Sequence, residues 1–251
     1  MCYATVLFLE FTVPFFEWLG WKKLHAIMRK TLIALTVLSV MFSTMHQSAL
    51  GSLFLLAPTR LHPLWYSPFI FIFFFLTAVI AGISMVVVES TLSHKVFAHQ
   101  LHGHSSDKLV LGLGKAGALV MFAYFFLKLQ GVTDGHAWGY LPTLYGAWFL
   151  VEILGFVLLP ALLFAYGARS EKMRWVRVAG VLGVTGVALN RLNVSVIAFN
   201  WDKPWAVRYV PSWMEVWVSV TLVTIGVLLF RWIVNRMPIL RESPDFPEDH
   251  H

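Results

Sequence analysis

Apolar residues in this chain fall in long, nearly unbroken blocks, without the one-faced or alternating patterns of soluble elements. The run from Phe69 to Val88 is the clearest, carrying Phe71, Phe73, Phe74 and Phe75 with no polar alternation. A helix crosses a bilayer core with about 20 such residues. A membrane barrel would instead show alternating segments of about ten. The blocks predict seven helical spans, over roughly 2–19, 31–56, 69–90, 109–129, 143–167, 176–199 and 214–236. Backbone groups in lipid must pair within their own span, which favours helices. The first span is interrupted by Glu10, Pro14 and Glu17, and Pro14 bends it because it lacks a donor for the preceding turn. The expected fold is an all-α polytopic membrane protein, a helical bundle with about seven transmembrane helices. Residues 1–240 form the membrane domain, and 241–251, with Pro244 and Pro247, a flexible tail.

Composition agrees. The 251 residues are 58% hydrophobic and 13% charged, against about 25% charged in a soluble domain. The net charge of +6 lies in short loops between apolar blocks, which points to membrane topology and away from nucleic acid. One set of loops holds Lys22, Lys23, Arg29, Lys30, Lys95, Lys108, Arg169, Lys172, Arg174, Arg177, Arg236 and Arg241. The opposite set, span ends included, holds Arg60, Lys128, Lys203 and Arg208. The richer set is expected in the cytoplasm, so the chain starts outside and ends inside. Trp65, Tyr66, Trp138, Tyr140, Trp201, Trp205, Tyr209, Trp213 and Trp217 mark the outer ends. They read as an interfacial belt, or, around 200–213, as a docking surface. The chain starts almost inside its first apolar block, with no polar region before it, unlike a signal peptide.

Ionisable groups inside spans are costly and usually face a protein interior or a wet cavity. Glu10, His46, Lys115, Glu152, Arg191 and Arg231 lie within expected spans, with Glu89 near an inner end. His46 is placed in the outer half of its span, near Ser43 and Gln47. It can hydrogen-bond a quinone carbonyl and titrate, or join two helices. Arg191, flanked by Asn190 and Asn193, either counters a carboxylate, polarises a bound carbonyl or forms a structural ion pair. Glu152 falls near mid-membrane, where burial makes it a candidate proton carrier, with Lys115 or Arg191 as its expected partner. Glu89 and Lys115 are further proton-transfer candidates; snorkelling is the plainer reading of Lys115.

Cofactor motifs are sparse. Cys2 is the only cysteine, so no iron–sulfur cluster is expected in this chain. A two-histidine haem is not expected either, because His46 is the only histidine deep in a span. His94, His99, His102 and His104 share one polar loop without a fixed ligand framework, and no metal site is assigned. Gly112, Gly114 and Gly117 read as a close helix contact rather than a dinucleotide fingerprint.

The stretch Ser43-Thr-Met-His-Gln-Ser-Ala-Leu-Gly-Ser-Leu-Phe54 is distinctive, as is Ala57-Pro-Thr-Arg-Leu-His-Pro-Leu-Trp-Tyr-Ser-Pro68. With Val86-Val-Val-Glu-Ser90, Leu189-Asn-Arg-Leu-Asn-Val194 and Pro211-Ser-Trp-Met-Glu215, the chain resembles the NrfD-like, polysulfide-reductase membrane-subunit family. Within it the chain looks closest to the HybB-like membrane subunits of periplasm-facing nickel–iron hydrogenases. The resemblance covers essentially the whole chain, and implies that an amino-terminal portion of the usual subunit lies outside it. It implies a bacterial inner-membrane protein that uses quinone, menaquinone or ubiquinone, as substrate without a haem of its own. Its implied partners are a periplasmic iron–sulfur electron-transfer subunit and the hydrogenase large and small subunits, besides membrane lipid. His46, Gln47 and Arg191 become quinone-pocket candidates, and Glu89, Glu152 and Lys115 proton-transfer candidates, with proton translocation a possible accompaniment. The competing readings are the quinone-reactive subunit of another respiratory oxidoreductase such as polysulfide reductase, a non-catalytic anchor, and a proton transporter.

Overall fold

The computed structural model describes residues 2–96, 105–204 and 207–237, and every regular element among them is helical. These are α1 (Cys2–Trp18), α2 (Lys22–Ser52), α3 (Ile70–Val96), α4 (Ser105–Asp134), α5 (Leu144–Leu150), α6 (Leu159–Arg169), α7 (Met173–Leu192) and α8 (Trp213–Arg236). A π-helical segment, Val151–Leu158, joins α5 to α6 without a break, and α7 runs on through a π turn, Asn193–Ile197. Among the described residues, six helical stretches are long and apolar enough to cross a membrane. The first expected span is a helix of 17 residues containing Pro14, about 25 Å long. The protein is an all-α, multi-pass membrane protein. The expected tail, 241–251, and the loop histidines His99, His102 and His104 lie outside the described residues, as does Trp205.

The chain divides into two compact units, Met1–Ser43 with Val210–His251, and Thr44–Tyr209. In the first, Gly20 turns the chain between α1 and α2 with a φ of +73°, a conformation open to glycine at little cost. Buried His25 brings its Nε2 to 3.8 Å from Glu17 Oε2. Helix α8 is capped by Ser212, whose hydroxyl accepts the Glu215 N–H at 3.4 Å and so satisfies one free donor of the first turn.

In the second unit α3, α4, α6 and α7 form a ring in which α3 touches α4 and α7, and α6 touches α4 and α7. Their core contains Phe73, Ile80, Met121, Phe164 and Val176. Small residues permit the close α3–α7 approach: a Cβ at Gly180 would lie 2.9 Å from Val87 Cγ1. Pro160 explains part of the π segment. It has no N–H to offer the carbonyl four residues back, so the α-helical ladder is interrupted there. At one end of the bundle, residues 57–69 fold inward, and Leu61, Leu64 and Trp65 join Ile70, Phe149 and Ala198 in a second core.

Helix α4 runs several residues past the expected end of its span, to Asp134. Lys128, expected at a span end, is therefore inside the helix and only 3% exposed. A lone charge resembles a boundary in a hydropathy pattern, but the residues after it sustain the helix, and Gln130 Nε2 donates to Asp134 Oδ1 at 2.9 Å.

Candidate functional site

Glu152 is 1% exposed, in the π segment, eight residues beyond the start of α5 and so about 12 Å along the axis. Three neutral donors hold its carboxylate. Trp65 Nε1 donates to Oε2 at 2.9 Å, Asn193 Nδ2 donates to Oε2 at 2.5 Å, and Asn190 Nδ2 donates to Oε1 at 2.6 Å. The orientation of Asn193 follows from chemistry. Trp148 Nε1, which can only donate, reaches Asn193 Oδ1 at 3.1 Å and so turns the amide nitrogen towards Glu152. Asn190 and Asn193, three apart, share one face where α7 passes into its π turn. Extra-residue helical turns of this kind re-aim side chains and recur at functional sites.

Two cations lie among the same helices, and one of them, Lys128, feels this carboxylate. The Lys128 ammonium sits 4.9 Å from the Phe73 ring centroid and 5.9 Å from that of Phe149, and feels the charges of both Glu152 and Arg191. The Arg191 guanidinium lies 3.6 Å from the Phe74 ring centroid. Its NH2 donates to Thr77 Oγ1 at 2.9 Å and to the Phe74 carbonyl at 3.4 Å, while its buried NH1 has no hydrogen-bond partner among the described residues. Among the described residues no ion pair joins either cation directly to Glu152. Charged groups held apart from water without direct neutralisation are costly, and a donor without an acceptor is suited to a ligand oxygen.

His62 organises the loops over this site. It is 1% exposed and packs against the rings of Trp65, Tyr140, Tyr145 and Trp201, with centroids 4.9 to 5.5 Å away. Its backbone N–H donates to the Ala198 carbonyl at 3.0 Å, its own carbonyl accepts the Trp65 N–H at 2.9 Å, and its Nδ1 accepts the Leu64 N–H at 3.2 Å. An imidazole that accepts at Nδ1 is neutral, and burial pushes its pKa down from 6.5 to about 4. The unfolded chain then binds more protons between these values, so stability from this group is full above pH 6.5 and is lost as pH falls towards 4. The loss amounts to roughly 3 kcal/mol when complete. Thermal midpoints of the solubilised protein should fall between pH 7.5 and 5, and His62→Gln should flatten that fall from a lower starting value.

Of the residues singled out in the sequence, Glu152 is bound to α7 just before its π turn, next in the chain to Arg191, which itself bonds Thr77 on α3. Asn190 bonds the carboxylate and Arg191 is its chain neighbour. The expected partners of Glu152, Lys115 or Arg191, are replaced by two amides and an indole, and Lys115 is exposed on α4. His46 is exposed and Gln47 half-buried on the last turns of α2. That helix end reaches α3, where Ser48 Oγ donates to the Phe71 carbonyl at 3.1 Å and Gly51 rests on Phe74, the ring that carries Arg191. Glu89 is exposed towards the other end of α3. Trp65, His62 and Lys128 were missed as parts of a site. The i, i+3 pairing of Asn190 and Asn193 inside an apolar span was the signal available for a polar face on α7. Among the described residues there is no group of three or more His, Cys, Asp or Glu able to hold a metal ion.

Comparison with known proteins gives this geometry its setting. Residues 2–201 match the family model described as polysulphide reductase, NrfD. A protein of Nitratidesulfovibrio vulgaris Hildenborough is 47% identical over 251 residues, covering 99% of this chain and 65% of the relative. A protein of Escherichia coli K12, named "Probable Ni/Fe-hydrogenase 2 b-type cytochrome subunit", is 29% identical over 254 residues, covering 99% of this chain and 62% of the relative. The chain thus spans slightly less than two thirds of the length of these relatives. No solved structure matches it significantly. With its bundle of apolar helices and a family match over four fifths of its length, the chain belongs to the NrfD, or polysulphide reductase, family of membrane proteins.

Proposed function

We propose that this chain is the quinone-reactive membrane subunit of a respiratory oxidoreductase of the polysulfide-reductase type, passing electrons between an iron–sulfur partner and quinone. The observation that carries the reading is a buried carboxylate held by three donors, one of them Asn190, whose chain neighbour Arg191 has an unused N–H. Reduction of quinone needs two electrons and two protons. A partner supplies the electrons, because this chain has one cysteine and no cluster framework. Arg191 supplies a charge-assisted donor to a carbonyl oxygen that gains negative charge, and Glu152 exchanges the proton. His46 and Gln47, on the helix end that shares Phe74 with Arg191, complete the pocket. Glu89 and Lys115 serve nearer the opposite end. In the bacterial inner membrane the site lies towards the periplasm, following the distribution of basic loops.

A second reading makes the electron donor a nickel–iron hydrogenase, with its large and small subunits and an iron–sulfur protein as partners. Similarity to the E. coli protein named for such a hydrogenase favours it. The membrane chemistry is the same in both.

One experiment separates these readings from an anchor or a transporter. The assembled complex is purified with its native partners, and quinone reduction is followed with hydrogen or with a sulfur reductant as donor. Quinone reduction that this chain's loss abolishes, with transfer to a soluble dye preserved, is the expected result, and the donor that works identifies the partner. Quinone reduction unaffected by removing the chain would leave it an anchor.

A further inference from the structure

We propose that Glu152 takes and gives its proton at Oε1 alone, with Asn190 as the positioning residue whose amide turns over at each exchange. The proposal rests on the reading above that Glu152 exchanges the proton of quinone reduction, and adds the atom at which it does so. A neutral carboxylic acid differs from its anion in having one oxygen that donates. A donor facing that oxygen must become an acceptor or move away. The three residues around Glu152 differ in whether they can.

Both donors at Oε2 are fixed. The Trp65 indole N–H, 2.9 Å from Oε2, has no acceptor form. Its ring is 0% exposed and packs against His62 and Phe149, with centroids 5.5 and 5.4 Å away and interplanar angles of 78° and 88°. Close packing of this kind keeps the indole from swinging clear. Asn193 is an amide, but Trp148 Nε1 donates to its Oδ1 at 3.1 Å. Turning Asn193 over would set two N–H donors against each other at Trp148 and leave both unmatched.

Asn190 meets Oε1 under no such restraint. Its Nδ2 donates to Oε1 at 2.6 Å, and its Oδ1 receives no hydrogen bond among the described residues. It also borders, with Thr77 and Tyr124, a cavity of about 10 Å³, room for one water, so the turned amide has polar surroundings. In the exchange, a proton from water forms the O–H bond at Oε1. The bond from Asn190 Nδ2 breaks, the amide turns, and the new O–H donates to Asn190 Oδ1. Release to the reduced quinone reverses these changes, and no electron moves. The bonds from Trp65 and Asn193 to Oε2 last throughout.

The test is infrared difference spectroscopy of the assembled complex on quinone reduction, with kinetics alongside. The carbonyl band of protonated Glu152 is identified by its loss in Glu152→Gln. Its frequency falls with each hydrogen bond the carbonyl oxygen accepts, so it reports which oxygen lacks the proton. With the proton on Oε1, Trp65→Phe removes one of the two donors to the carbonyl oxygen and moves the band to higher wavenumber, and Asn190→Leu moves it less. Asn190→Leu also slows quinone reduction about tenfold, the scale of one lost hydrogen bond, with an unchanged KM for quinone and parental dye reduction by the partners. Trp65→Phe decides the matter if Asn190→Leu does not assemble. A band unmoved in Trp65→Phe, a band moved further in Asn190→Leu, or parental turnover in that variant overturns the proposal and leaves Glu152 a proton carrier. A parent complex that reduces quinone with no band lost in Glu152→Gln overturns the carrier role as well, and one that does not reduce quinone overturns the reading beneath both.

Discussion

Glu152→Gln in the assembled complex lowers quinone reduction by about 100-fold or more, the scale of a positioned proton-transfer group, and leaves dye reduction by the partner subunits unchanged. The substitution is a clean one because the site tolerates it. The side-chain oxygen of glutamine takes the place of Oε2 and accepts from Trp65 and Asn193. Its amide nitrogen faces Asn190, which satisfies it by turning its own amide over to present Oδ1. Volume, packing and hydrogen-bond count are all retained, and only the ability to carry a proton is lost. Glu152→Ala differs: it leaves the Trp65, Asn190 and Asn193 donors unmatched in a dry interior, each costing roughly 1–3 kcal/mol, so it should fail in assembly as well as in turnover. Quinone kinetics together with complex yield on a sizing column separate the two variants. Parental quinone kinetics in assembled Glu152→Gln would make the carboxylate a structural polar hub.

Arg191→Met is expected to separate activity from stability in the opposite sense. The guanidinium lies on Phe74 and spends one nitrogen on Thr77 and a backbone carbonyl, while NH1 has no acceptor among the described residues. Arg191 is half-buried with its NH1 buried, and replacing such an incompletely satisfied charge by an apolar chain of similar length is often neutral or stabilising. Methionine also keeps contact with the ring. The thermal midpoint of the variant should equal or exceed that of the parent. Quinone turnover should nevertheless fall by about 100-fold, the scale of one lost donor to a developing negative charge. A structural role for Arg191 predicts the reverse pattern, with lowered stability and near-parental turnover. Arg191→Lys discriminates further, because lysine keeps the charge without the planar face or the second donor.

The helical, membrane-spanning character of the chain was legible because it follows from block length alone, and the family from a few short segments such as Ser43 to Phe54. Glu152 and Arg191 stood out for the same physical reason: a charge inside an apolar run is expensive and needs a local cause. The company they keep was not legible. The partners of Glu152 are an indole and two amides, groups whose cost of burial is too small to interrupt a hydropathy pattern. Trp65 was read as an interfacial aromatic because its sequence position, just before α3, fits that belt. Only the inward fold of residues 57–69 carries it to 0% exposure. Lys128 was misread through the common link between charge and helix end, and the Phe73 and Phe149 rings that shelter it come from two other helices. Such contacts are properties of tertiary packing, which periodicity along one chain does not encode. The π segments were equally hidden, apart from Pro160 as a local cause of one of them.

The central claim, that quinone is handled by this chain at the end of the bundle where Glu152 and Arg191 lie, is tested most directly by photoaffinity labelling. The assembled complex is illuminated with an azido-quinone, digested, and the labelled peptides are mapped by mass spectrometry. Label is expected on peptides from the last turns of α2 around His46 and from α7 around Arg191, lost in the presence of excess native quinone. Label confined to the partner subunits, with none competed away on this chain, would contradict it.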